Sequence, residues 1–351
     1  MCGIAGVLHT DAGRPDPRVL ERMNAVIAHR GPDGIGSFCE GPIGLTHRRL
    51  SIIDLSDAAA QPLANEDGSV RLIYNGEVYN FARLRAELEA AGHTFRSRTD
   101  SEVIVHGYEE WGEPVVERLD GMFAFALWDA RRQALLLARD RYGIKPLYWY
   151  AGSGVLVFAS EIKALLEHPA VGRDICYPAL NEYFSFQNVF SDLTLFDGIR
   201  LLPPGHVLSV GPGEPVRVRQ YWDYPFHLEP LALGEEEAAE EVIRLFTKAV
   251  TDQLVSDVPV GAYLSGGMDS GSIASVAGRH LARLRTFTAG FDMSSATGLE
   301  LAFDERAEAE YLANLLKTEH YEVVLHAGDM EHVLPELIWH LEDLRVGQCY
   351  P

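Results

Sequence analysis

The chain has 351 residues, 47% of them hydrophobic and 23% charged, which suits a globular protein of two domains with buried cores. A formal net charge of -21 argues against a general nucleic-acid binder, because phosphate backbones attract basic surfaces, though a few local groups can still hold a nucleotide. No stretch reaches the roughly 20 apolar residues of a membrane span, and no basic segment followed by an apolar run opens the chain, so the expected location is the cytoplasm, with no membrane partner.

Met1-Cys2-Gly3 leads directly into a strand expected over residues 4–8. Asp16 can cap a helix, with Pro17 at its first position and Leu20, Met23 and Ile27 on one face. Further strands are expected over 43–50, 70–74, 121–128, 134–138 and 155–159, each short, apolar and bounded by turn residues. A second helix is expected over 81–91, aligning Phe81, Leu84 and Leu88 and ending at Gly92. Many strands with segregated helices predict a layered α/β sandwich. A Gly/Pro-rich stretch between 205 and 234 marks the change of domain, with the linker at 223–234.

Beyond it the rhythm alternates. Helices are expected over 235–254, 270–281, 304–317 and 329–344, and strands over 258–264, 286–291 and 321–325. The first of these helices should turn Val242, Ile243, Phe246, Val250 and Leu254 inward. Such alternation predicts a parallel sheet with covering helices, here an incomplete one of three strands. The four cysteines, Cys2, Cys39, Cys176 and Cys349, form no CxxC pair, which excludes a disulfide framework or structural zinc site of the usual spacing. Three of them read as buried thiols. His47, His106 and His206 read as structural, and Lys145 as a structural or interdomain contact.

Cys2 differs by position. Removal of Met1 would give it a free α-amino group, whose pKa of about 8 leaves a neutral fraction to act as base for its own thiol. Alone this signal is weak. HRGPD (29–33), HRRLSIID (47–54), YNGEVYN (74–80) and RTDSEVI (98–104) each read singly as a turn or cap, with Asn75-Gly76-Glu77 expected in a tight turn. In this order they closely resemble the class II glutamine amidotransferases with an N-terminal nucleophile. GMFAFALWD, RDRYGIKPLYW and ASEIKALL extend the likeness to the glutamine-hydrolysing asparagine synthetases.

The resemblance implies an αββα N-terminal-nucleophile hydrolase sandwich over 1–222. It makes Cys2 the nucleophile, and gives the oxyanion to the Asn75 side chain and the Gly76 backbone N–H, donors worth about 3 kcal/mol each. Arg49 would hold the α-carboxylate of glutamine, Glu77 and Asp100 its α-ammonium, with Leu50, Ile52 and Ile53 lining the pocket.

Leu264-Ser265-Gly266-Gly267-Met268-Asp269-Ser270 lies between a strand and a helix. It is not a Walker A loop, because no GK[ST] follows. On SGG alone, a tight turn and an anion cradle stand side by side. SGGMDS resembles the pyrophosphate loop of ATP pyrophosphatases, which implies an incomplete adenine nucleotide α-hydrolase-like α/β domain over 235–351. Ser265, Gly266, Gly267 and Ser270 would bind phosphate, and Asp269 would contact Mg²⁺. Leu264, Ala289 and Gly290 would border adenine and ribose. The family's second loop, S-G-x-G-x-D-E, falls beyond Pro351, so the chain reads as a fragment. Glutamine, aspartate and ATP are the expected small-molecule partners, and a homodimer is compatible with this reading. Two alternatives stay open: a relative with another carboxylate acceptor, and a non-catalytic remnant that binds nucleotide or glutamine.

Overall fold

Alternation of apolar side chains builds the first unit of the chain, as seen in a computed structural model that describes residues 1–11, 13–211, 214–226, 229, 232–295, 304–326 and 328–344. One six-stranded sheet runs in the order β10 (Ile199–Leu201), β8 (Tyr148–Gly152), β9 (Val155–Ala159), β1 (Gly3–His9), β3 (Ile43–Arg49), β2 (Gly34–Glu40). The other runs β12 (Arg217–Gln220), β11 (His206–Val210), β7 (Ala134–Arg139), β6 (Gly121–Asp129), β5 (Val70–Val78), β4 (Leu63–Ala64). Their pairings are antiparallel.

Three separate apolar clusters make this a four-layer αββα sandwich. Ile4, Leu45 and Phe158 from the first sheet meet Ile73, Ala124 and Leu137 from the second in the central layer. The next residues along β1, Ala5 and Val7, point the other way, onto α1 (Pro17–Val26) and α5 (Ile162–Leu165). Leu72, Tyr74 and Phe123 likewise face α2 (Phe81–Ala90), α3 (Glu102–Trp111) and α4 (Val115–Arg118). Asp16 accepts a hydrogen bond from the Arg18 N–H at 2.9 Å and Pro17 opens α1, as the sequence predicts. Helix α6 (Tyr177–Phe186) completes the unit's helices. Six strands went unforeseen beside α4 to α6: β2, β4, β8, β10, β11 and β12, most of them short or in half-buried sequence that carries little apolar alternation.

Asn75-Gly76-Glu77 corrects the expected turn. All three lie inside β5, paired with Ala124, Phe123 and Met122 of β6. An Asn-Gly pair is a strong hairpin signal, but the glycine here answers another demand. A Cβ at Gly76 would lie 2.3 Å from the Met122 carbonyl oxygen, so only glycine allows β5 and β6 this close. Cys39 is exposed rather than buried, and Cys349 lies outside the described residues.

The second unit begins after Phe226 and runs to Leu341. Three parallel strands, β13 (Gly261–Tyr263), β14 (Arg285–Phe291) and β15 (Glu319–Leu325), alternate with α7 (Glu235–Asp252), α8 (Met268–His280), α9 (Arg306–Leu316) and α10 (Asp329–Leu341). Its core is Leu264, Ala274, Ala277, Leu284, Ala309 and Ala313, with Val250 and Leu254 packed against it. The first strand is shorter than its sequence suggests, three residues instead of seven. The inward face expected of α7 is also corrected: Val242 and Ile243 are 64% and 65% exposed, and Phe246 is exposed too. Among the described residues, only the last turns of α7 pack on the α8 core, and the apolar residues upstream stay uncovered. Part of the expected linker, residues 227–228 and 230–231, lies outside the described residues.

Candidate active site

The two sheets place chemistry at one end of the central layer. Cys2 precedes β1, while Asn75 and Glu77 share the face of β5 that carries Ile73 inward. His47 on β3 ties the sheets together: its Nε2–H donates to the Tyr74 carbonyl at 3.1 Å. Burial pushes the His47 pKa down to about 4, so this strut is neutral.

Cys2 is held on both sides. Its Sγ accepts from the Leu50 N–H at 3.4 Å and its thiol faces the Leu50 carbonyl at 3.6 Å. Its own carbonyl accepts from Arg30 Nε at 2.9 Å. Arg30 in turn pairs with Glu161 at 2.8 Å, and Glu161 also receives Lys163 and His29. Burial alone would push the Glu161 carboxyl up, but these donors hold it at about 2, so the network stays charged at neutral pH. Burial raises the Cys2 thiol while the Leu50 N–H pulls it down; the balance is upward, so the thiol needs a base.

A cavity opens beside Cys2, lined by Arg49, Leu50, Ile52 and Ile53 on one side and Asn75, Gly76, Glu77 and Asp100 on the other. Every residue that the sequence reading assigned to the glutamine site therefore lies on one lining. Asn75 is 1% exposed, and its side-chain nitrogen has no hydrogen-bond partner among the described residues. A buried amide donor left unpaired is costly, roughly 1–3 kcal/mol, unless something else accepts from it.

The cavity is electrostatically divided. The Arg49 guanidinium donates to the backbone carbonyls of Ser56 and Asp54 and makes no ion pair among the described residues, so its charge stays available to an anion. Opposite it, Asp100 accepts from Tyr74 Oη at 2.6 Å and the Val78 N–H at 2.8 Å. Burial raises Asp100 in spite of these donors. Burial, and then the nearby Asp100 charge, push Glu77 up to about 8. Two carboxyls that resist ionising together form a site that favours a cation.

The phosphate-loop residues of the second unit gather at the carboxyl end of β13. Ser270 Oγ accepts from the Ser265 N–H at 3.0 Å and lies 2.9 Å from Ser265 Oγ, which accepts from the Gly267 N–H at 3.1 Å. Gly267 is the residue before α8, and Asp269 lies exposed in its first turn. Leu264 is buried, and its carbonyl accepts from Thr288 Oγ1 at 2.5 Å. Ala289 and Gly290 end the neighbouring strand; Gly290 packs under the Arg306 side chain. Ala289 lines an open groove with Gly261, Tyr263, Phe287 and Val323 on the sheet face, which the loop does not join. The loop thus has the shape of an anion cradle, but the groove beside it is apolar.

Residues 1–222 match the family model of a glutamine amidotransferase domain, and residues 241–350 that of asparagine synthase. The chain belongs to the glutamine amidotransferase family. Asparagine synthetase [glutamine-hydrolyzing] 1 of Bacillus subtilis (strain 168) is 37% identical over 98% of this chain and 53% of its own length. Asparagine synthetase [glutamine-hydrolyzing] 2 of Oryza sativa subsp. japonica is 36% identical over 97% and 53% respectively. A Penicillium rubens protein, amidase chyE, is 36% identical over 92% and 49%. The chain spans about half the length of these relatives.

Within the amidotransferase unit, the sequence reading missed Gln61, Thr99, Met122 and Lys145 on the cavity lining. Lys145, read in the sequence as a structural or interdomain contact, lies on this lining. It is 5% exposed and its Nζ donates to Met1 Sδ at 3.3 Å. Its place depends on Asp140, whose carboxylate accepts from the backbone N–H groups of Phe123, Tyr142, Ile144 and Lys145. Arg139 closes the same loop by donating to the carbonyls of Gly143 and Lys145. The RDRYGIKP run carried the signal: an adjacent cation and anion followed by a Gly turn. It did not show where the loop would point.

Proposed function

We propose that the amidotransferase unit hydrolyses glutamine at Cys2 and that the protein spends the ammonia on aspartyl-AMP, giving asparagine, glutamate, AMP and pyrophosphate. The observation that carries the first half is the unpaired, buried amide of Asn75 in the cavity that Cys2 lines. With Met1 removed, the α-amine of Cys2 takes the thiol proton. The thiolate then attacks the glutamine side-chain carbonyl, and the developing oxyanion accepts from Asn75 Nδ2 and the Gly76 N–H. Collapse breaks the C–N bond, the amine returns its proton to the departing ammonia, and water cleaves the thioester to glutamate. Arg49 takes the α-carboxylate as a two-pronged donor, and Glu77 with Asp100 takes the α-ammonium. A cation facing two carboxyls suits a free amino acid rather than a peptide-bound one.

The second half rests on the SGGMDS loop and on the match to the asparagine synthase model. Backbone N–H groups at the start of α8 and the hydroxyls of Ser265 and Ser270 suit the phosphates of ATP, and Leu264, Ala289 and Gly290 would border adenine and ribose. Asp269 fits Mg²⁺, which takes one or two carboxylates plus phosphate oxygens and would offset charge on the departing pyrophosphate. Glutamine, aspartate and ATP are then the substrates, and the cytoplasm is where we place the reaction. A second reading keeps the glutamine site and changes the acceptor carboxylate; the relative that carries an amidase name favours keeping it in view.

One assay separates these readings. In the intact protein, Cys2→Ala should stop glutamate release from glutamine and leave ATP–pyrophosphate exchange dependent on aspartate. Continued glutaminase activity in that variant removes Cys2 from its role. Wild-type glutaminase without aspartate-dependent exchange moves the protein to the second reading.

A further inference from the structure

His93, His106 and Glu109 lie away from the cavity, in the turn between α2 and α3 and on α3 itself. Each offers one ligand atom, and these atoms lie within 4.8 Å of one another. Glu109 Oε2 is 3.0 Å from His106 Nδ1 and 3.9 Å from His93 Nδ1. Ligand atoms of a tetrahedral zinc with bonds of about 2.0–2.2 Å sit roughly 3.3–3.5 Å apart, midway between those two distances. His106 and Glu109 are three apart on one helix face, so both point at the turn that carries His93.

The surroundings match what such a site requires. Each histidine turns its other nitrogen toward a further carboxylate: His93 Nε2 is 3.3 Å from Glu110, and His106 Nε2 is 3.6 Å from Glu102. A ring that binds a metal through one nitrogen characteristically donates from the other to an acceptor of this kind. Glu109 Oε1 accepts from Asn65 Nδ2 at 2.7 Å, which leaves Oε2 aimed at the histidines. The Phe95 ring stands edge-on to His106 at 4.7 Å and fixes its plane. The rival arrangement pairs the two rings, with centroids 5.1 Å apart, directly with Glu102, Glu109 and Glu110. A divalent ion would instead take one nitrogen of each ring and one Glu109 oxygen as ligands.

We propose that His93, His106 and Glu109 bind a divalent transition-metal ion of the zinc class. Two imidazoles and one carboxylate are borderline donors of the kind zinc takes, with the remaining position open to water. The ion clips the α2–α3 turn onto α3. Its effect extends toward the cavity through Glu102, which accepts from the N–H groups of Arg96 and Ser97 just ahead of Thr99 and Asp100.

The test titrates the full chain with Zn²⁺ against a chromophoric chelator and follows thermal unfolding alongside. Wild type and Cys2→Ala should each take up one equivalent, with a rise in Tm. His93→Ala should lose that uptake. Glu110→Gln, an exposed change that keeps all three ligands, should weaken it about tenfold or more, as loss of an outer partner does. Absence of saturable uptake in the wild type would overturn the proposal, as would uptake abolished by Cys2→Ala. Unchanged affinity in both His93→Ala and Glu110→Gln would do the same.

Discussion

The two units of this chain treat apolar residues differently. In the first, Phe123, Phe125, Phe158 and Met23 are wholly buried, and three clusters fill the spaces between four layers. In the second, the core is mostly alanine and leucine, while Tyr263 is 87% exposed and Val242, Ile243 and Val323 stand open. Both stretches show the periodicity of packed elements in their sequence. Periodicity tells which residues want burial; it does not tell whether the surrounding layers supply it. The first unit can therefore hold a site rigidly, because each of its two sheets is packed on both faces.

The largest effects should come from that filling. Phe158 is wholly buried and packs over Gly6, where a Cβ would meet its ring at 2.3 Å. Phe158→Ala should cost about 3–5 kcal/mol of stability in chemical denaturation, the range for emptying an aromatic site in a core. A cost below about 1 kcal/mol would mean that the central layer can collapse around the gap, and the contrast with the second unit would weaken. Next in size is Asn75→Ala. It should leave the fold intact, since Asn75 Nδ2 has no partner to lose, and lower glutaminase kcat by about 10²–10³-fold. A kcat near that of the wild type would take the oxyanion role from this amide.

Much of this site was legible in the sequence, because its signals are local. Arg49 ends a strand, Asp100 sits just ahead of a helix, and Cys2 stands second; all three line the cavity. What the sequence did not show has a common cause. Asn75-Gly76-Glu77 looked like a turn because the partner that requires glycine, Met122 on β6, is 46 residues away in the chain. The place of Lys145 on the lining was hidden because Asp140 and Arg139 fold its loop through contacts that sequence spacing does not show. Long-range approach decided each case.

A smaller effect concerns protons, and it tests whether the cavity's division of charge is real. The Glu77 carboxyl is pushed up to about 8, well above its ordinary 4.5, so in the free protein it carries a proton at pH 7. Binding an ammonium favours the ionised form and must release that proton. Glutamine affinity, measured calorimetrically in Cys2→Ala so that no turnover occurs, should rise by up to tenfold per unit as pH climbs from 6 and level off near 8. The heat should also depend on the buffer's ionisation enthalpy below pH 8. Glu77→Gln should bind more weakly and lose the slope. A pH-independent affinity in the parent would show that Glu77 is already ionised and that the cavity does not hold the proton described here.

The smallest expected effect lies in the second unit and bears on the comparison most directly. Ile243 is 65% exposed on α7, about two turns before Val250, which packs on the α8 core. Ile243→Ser therefore removes no packed side chain and leaves no cavity. What remains is a small difference in helix preference, and exposed substitutions away from special features usually fall within about 0.5 kcal/mol. The paired change Val250→Ser, on the same helix but against the core, should cost more, because it takes a partly buried methyl pair from its contacts and puts a hydroxyl in their place. The measurement is chemical denaturation of both variants beside the parent chain, with protein concentration varied. Equal and large losses in the two variants would mean that the upper half of α7 is covered in solution. A loss for Ile243→Ser that grew with concentration would identify the cover as a second copy of the chain, since only an association that buries the residue couples its cost to mass action.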